Sequence, residues 1–121
     1  MLKVNQNYIN SIVKQALKED LRPNGDITTN LIHSKNKSKK ARIIAKQNGV
    51  IAGLDFCRTA FKLVGKEAIF INKAKDGSKV QKNKVIAEIK AKTKTILVAE
   101  RTALNFLNHA SGIATLTYQF K

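Results

Sequence analysis

A chain of 121 residues, 43% of them apolar, is the size of one ordinary domain and carries enough apolar residues for a core. Its formal charge is +15, from 23 basic and 8 acidic residues, yet only Arg22, Arg42, Arg58 and Arg101 are arginines and the lysines are spread along the chain, so nucleic acid is not expected as a partner. No stretch approaches the ~20 apolar residues that span a bilayer, and the opening MLKVNQNYIN lacks a signal peptide's basic start and apolar run, so a cytoplasmic protein with no membrane partner is expected.

Tyr8, Ile9, Ile12, Val13, Ala16 and Leu17 recur with helical spacing and predict a helix over residues 6–19, with Asn5 or Asn7 as its N-cap. Pro23, Asn24 and Gly25 end it. In the following NGDITTNLI, Asp26, Thr28 and Thr29 can bond to nearby backbone, which favours a structured loop or a short helical turn. The tract from His33 to Lys40 holds no apolar residue and reads as an exposed loop. Residues 41–47 read as a strand with Ala41, Ile43 and Ala45 on one side. Asn48-Gly49 then predicts a tight hairpin into a return strand at Val50 and Ile51.

Cys57, Ala60, Phe61 and Val64 repeat at helical spacing over 55–64, a helix opened by Asp55 and closed by Gly65. Cys57 is the single cysteine, so an internal disulfide is excluded, and its apolar setting marks it as a small core residue. Residues 68–74 form another strand, and Asp76-Gly77 a turn. Val85, Ala87, Ile89 and Ala91 alternate with Ile86, Glu88 and Lys90, the pattern of a strand with one buried face. From Ile96 onward the spacing is helical again. Separate helices and mostly antiparallel strands argue an α+β fold.

The last helix carries the candidate site. With Arg101 at zero on a helical wheel, Asn105 lies near about 40°, Asn108 near about −20° and His109 near about 80°. Ala103, Leu104, Phe106, Leu107 and Ala110 fill the opposite arc. A strip of Arg101, Asn105 and Asn108 could hold a carboxylate, because arginine grips one with two parallel bonds. Glu100 breaks the pattern by falling on the apolar side. A buried carboxylate needs a partner, and the expectation is a structural acid facing the helix's N-terminal dipole.

These residues also resemble a known family. Glu100 to Thr115, ERTALNFLNHASGIAT, is similar to the pattern ERTALNxLxxxSGIAT of quinolinate phosphoribosyltransferases. Three further segments resemble the family in the same order. LKEDLRPNGDITT (Leu17 to Thr29) is similar to LxEDLGxGDITT, GVIAGLDFCRTAF (Gly49 to Phe61) to GxxAGxxxxxxxF, and DGSKVQKNKVIAEIKAKTKTIL (Asp76 to Leu97) to DGxxVxxGxxIAxIxGxxxxIL. The chain departs from the family at Arg22, Asn83 and Ala91, each of which stands where the family has glycine; Asn83 can also take a left-handed turn.

The resemblance implies an α/β-hammerhead-like N-terminal domain, an open antiparallel sheet flanked by helices, over residues 1–112. Residues 113–121 would begin the family's α/β barrel domain, with Lys121 inside that domain's first helix. The barrel holds the phosphoribosyl pyrophosphate and magnesium sites, so no catalytic residue, metal or cofactor is expected in this chain, and Mg2+ is expected only for the full-length enzyme. The implied reaction joins quinolinate to phosphoribosyl pyrophosphate, giving nicotinate mononucleotide, carbon dioxide and pyrophosphate. It also implies a homodimer in which Arg101 reaches across the interface to bind quinolinate, with Asn105 and Asn108 as supporting residues. The alternatives are a related molybdenum-transport-associated protein and a basic nucleic-acid-binding module.

Overall fold

The computed structural model describes residues 5–21, 37–112 and 115–120, with residues 20, 21 and 115–120 by their backbone. Three helices and six strands occur among them. In chain order these are α1 (Gln6–Leu21), β1 (Ser38–Ala45), β2 (Gly49–Val50), α2 (Leu54–Val64), β3 (Ile69–Asn72), β4 (Lys79–Val80), β5 (Val85–Lys92), α3 (Thr93–Ser111) and β6 (Thr115–Phe120). Four strands form one antiparallel sheet in the order β3-β5-β1-β6, and β2 pairs with β4 as a separate antiparallel ribbon. This is the α+β arrangement that the sequence pattern predicts and the open sheet with flanking helices that the resemblance implies.

Helices α2 and α3 pack on one face of the sheet, and α1 packs against these two helices. Ile9, Val13 and Leu17, four residues apart on α1, are buried. Asn5 starts that helix: its side-chain oxygen accepts the Asn7 amide at 2.7 Å. Gln6 ties α1 to α2 by donating to the buried Thr59 hydroxyl at 3.1 Å. Phe61 of α2 is fully enclosed with Ile43, Ile51, Ile86, Ile89 and Leu107. Cys57 lies in the same core, where burial pushes its thiol up, out of reach of thiolate chemistry.

Strands β1 and β5 send Ala41, Ile43 and Ala45, and Ala87, Ile89 and Ala91, into that core. Their pairing runs Ile43 to Ala87 and then Ile44 to Val85, leaving Ile86 unpaired at a bulge. The bulge lets Ile86 and Ala87 both be buried, so the simple alternation expected for this strand breaks there. Asn83, with φ of 76°, takes the left-handed turn that its glycine-like position calls for.

Several local expectations are corrected. The strand β1 begins at Ser38, so the end of the lysine tract is in the sheet rather than in an exposed loop. Outward positions of an open sheet accept lysine, and pairing with β5 supplies the backbone bonds. Residues 33–36, Arg22, and the loop of Asp26, Thr28 and Thr29, lie outside the described residues.

Asn48-Gly49 makes no hairpin. Neither residue has the positive φ that a type I′ turn requires. The two neighbours of β1 are β5 and β6, so β2 pairs with β4 instead, and the Asn48 side chain accepts the Lys82 amide at 2.7 Å. Residues 115–120, expected at the start of a helix, form β6 against β1.

Helix α2 is opened by a distant residue. Asp76, in the turn with Gly77, accepts the Leu54 amide at 3.2 Å, whereas Asp55 is exposed and pairs with Arg58 at 3.4 Å. Gly53 precedes the helix at φ 90°, and a Cβ built there would lie 2.8 Å from Ala110 Cβ. Only glycine lets α3 pass that close.

Candidate functional site

Helix α3 begins three residues earlier than its apolar periodicity suggests, at Thr93. Two anchors explain the start. The Thr93 amide and hydroxyl donate to the Lys37 carbonyl at 3.0 and 3.2 Å. A Glu67 carboxylate oxygen accepts the Lys92 amide at 3.1 Å and the Thr95 hydroxyl at 2.8 Å. Burial pushes the Glu67 carboxyl up, but the Lys92 amide, the Thr95 hydroxyl and the Lys92 charge outweigh it and hold it below its ordinary value.

The other end is fixed as firmly. Gly112 adopts φ 68° and donates its amide to the Asn108 carbonyl at 2.9 Å, a left-handed C-cap. The Ser111 hydroxyl donates to the Ala52 carbonyl at 2.8 Å and accepts the Ala52 amide at 2.9 Å. Between the ends, Phe106 stacks on Phe56 with centroids 5.2 Å apart, and Ile96, Ala99, Ala103 and Leu107 are buried. A helix pinned this way has little freedom to slide or rotate.

Arg101 projects from the middle of this pinned helix. It is exposed and makes no hydrogen bond or ion pair with a described residue. Asn105, one turn on, is exposed beside it. Asn108 is half-buried and already engaged in an interaction of its own, so of the three strip residues Arg101 and Asn105 share the open face. His109 is also exposed, and it lines a cleft of about 210 Å³ together with Asn105, Thr102 and Phe106 of α3 and Ala16 and Glu19 of α1.

Glu100 is half-buried, and desolvation raises its carboxyl above the ordinary value. The dipole account fails, because a helix starting at Thr93 leaves Glu100 beyond its first turn, where the terminal field has faded. Glu100 makes no hydrogen bond or ion pair with a described residue.

An exposed guanidinium on a rigid helix suits the two-bonded grip of a planar carboxylate. The sequence placed Arg101 on the exposed side of this helix, as the structure has it, but its periodicity gave no sign of what fixes the helix: Glu67, Thr95 and Ser111. Glu67 and Ser111 act across long sequence separations, which periodicity does not register. Ser111 had a signal in the matched SGIAT segment, where a small hydroxyl precedes a helix-ending glycine.

The sequence profile of the quinolinate phosphoribosyl transferase N-terminal domain family matches residues 26–111. The chain is 38% identical over 112 residues to a probable nicotinate-nucleotide pyrophosphorylase (carboxylating) of Methanocaldococcus jannaschii, covering 93% of this chain and 38% of that protein. It is 32% identical over 109 residues to a quinolinate phosphoribosyltransferase (decarboxylating) of Nicotiana tabacum, covering 90% of this chain and 31% of that protein. Among solved structures, NadC from Streptococcus pyogenes superposes with a TM-score of 0.81 at 33% identity, over 90% of this chain and 39% of that one. The chain belongs to the quinolinate phosphoribosyltransferase family, as its N-terminal domain. It spans 31% to 39% of the length of the curated relatives it matches.

Proposed function

We propose that the chain is the substrate-contacting, dimer-forming N-terminal part of a quinolinate phosphoribosyltransferase in NAD biosynthesis. The observation that carries this reading is Arg101, exposed and unpaired among the described residues, on an anchored helix inside the family's matched segment. The names of the relatives favour this enzyme over the molybdenum-transport-associated sister. In this reading residues 1–112 are the N-terminal domain, β6 within 113–121 still completes its sheet, and the barrel domain supplies the catalytic residues and the Mg2+. The protein works in the cytoplasm as a homodimer without nucleic acid.

The reaction fits what one fixed cation can do. Quinolinate carries two carboxylates. Its ring nitrogen takes the phosphoribosyl group and pyrophosphate leaves; the carboxylate beside the nitrogen then departs as carbon dioxide, and its carbon takes a proton. Arg101, reaching into the partner's site, would hold a substrate carboxylate and orient the ring, with Asn105 and Asn108 in support. A nearby cation also stabilises the electron density left on the ring.

Arg101→Ala in a full-length protein carrying this domain tests the assignment. Loss of a charge-assisted pair is expected to raise the quinolinate KM by about 10- to 100-fold, with the KM for phosphoribosyl pyrophosphate little changed. Arg101→Lys should recover only part of the loss, because lysine lacks the planar fork. Unchanged kinetics for both substrates would refute the role.

A further inference from the structure

On the outer side of the sheet, opposite the helices, the part formed by β3, β5 and β1 is neither apolar nor evenly charged. Across β3, β5 and β1 the register sets two rows of directly opposed residues. One row is Ile69, Lys90, Lys40; the next is Ile71, Glu88, Arg42. Ile69 and Ile71 are 50% and 47% exposed, which is unusual for isoleucine on an edge strand. The six side chains line a shallow depression of about 430 Å³.

Two features of this face are unsatisfied among the described residues. Lys40 and Lys90 stand directly opposite each other, and like charges at such a pair are destabilising. Neither makes an ion pair with a described residue. Glu88, the one carboxylate on the face among the described residues, is held by Lys73 at 3.6 Å, so it does not offset them. Beside this charge lies the exposed Ile69 and Ile71 pair.

We propose that this face docks an acidic amphipathic protein segment, with carboxylates between Lys40 and Lys90 and aliphatic side chains on Ile69 and Ile71. Charge complementarity decides the occupant. A second copy seated with its two-fold axis at this pair would press the Lys40 and Lys90 side chains of both chains together, and the chain as a whole carries +15. A bare polyanion would satisfy the lysines and leave the isoleucines wet. An extended segment also suits the edge of β3, whose single neighbour among the described residues is β5.

The test is titration of isotope-labelled 121-residue chain with a capped hexapeptide of alternating glutamate and leucine, followed by NMR. The expected result is shifts of the Ile69 and Ile71 methyls and the Lys40 and Lys90 amides, with helix signals unmoved. Reversing both charges (Lys40→Glu with Lys90→Glu) is expected to weaken binding by about tenfold or more, since attraction becomes repulsion. All four positions are on the surface, and the amide spectrum of the variant reports whether it folds; Lys90→Ala serves if the double variant does not. A glutamate–serine peptide of equal charge should bind more weakly. Equal binding of that peptide or of oligouridylate would overturn the proposal in favour of unspecific charge, and so would shifts confined to the helices or no shifts at all.

Discussion

Glu67 sits where an amide, a hydroxyl and a lysine favour its charged form, while Glu100 is half-buried on the next helix with no partner among the described residues. Their effects on stability therefore run in opposite directions with pH. Glu67 has a lowered value in the fold, so its contribution is complete above the unfolded value and is lost as pH falls through the folded one. Glu67→Gln is expected to lower stability at neutral pH and to flatten the acid limb of the denaturation profile; an unaltered acid limb would show that the bonds to Lys92 and Thr95 carry no net weight. Glu100 has a raised value, so the fold gains from its protonated form at low pH and loses that gain as pH rises through the folded value. Glu100→Gln is expected to stabilise the isolated chain at neutral pH by a fraction of ~1 kcal/mol, since water screens a half-exposed group. The gain should vanish below the ordinary carboxylate range. A destabilised variant at neutral pH would mean that Glu100 is satisfied within its own chain.

At the level of elements, α3 owes its position to contacts that bracket it. Ser111 both donates to and accepts from Ala52, so Ser111→Ala leaves an amide and a carbonyl without their partner. The expected cost is about 1–3 kcal/mol in chemical denaturation, and a cost near zero would mean that water replaces the hydroxyl freely. The periodicity of α1, α2 and α3, the alternation of β1, and the buried role of Cys57 were legible in the sequence because each depends on local spacing. The partner of β2 was not. Asn48-Gly49 has hairpin chemistry, but strand pairing is decided by which edges of β1 are taken, and no dipeptide reports that. The α2 cap was hidden for a similar reason: Asp55 stands at the expected place, yet the bond comes from Asp76, beyond β3. The exposure of Arg101 was legible on the wheel because it is a local property; the dipole role for Glu100 failed because it depended on a helix start misplaced by three residues.

For the whole molecule, the proposal divides labour between this domain and the part of the protein that its longer relatives carry. The 121-residue chain alone is expected to release no carbon dioxide from carboxyl-labelled quinolinate in the presence of phosphoribosyl pyrophosphate and Mg2+. Measurable release would place catalytic groups here and overturn that division. The domain's part is placement: it fixes where one cation stands.

The clamps on α3 also bear on how such a domain is made. Its two ends are held by Lys37, Glu67 and Ala52, residues far back along the chain. Contacts of that span close late, after most of the loop entropy has been lost. A nascent or partly unfolded chain can form the helix but cannot aim it. In the proposed dimer, the arginine would therefore be delivered to the partner only by molecules that have finished folding, so binding competence and structural integrity become a single checkpoint.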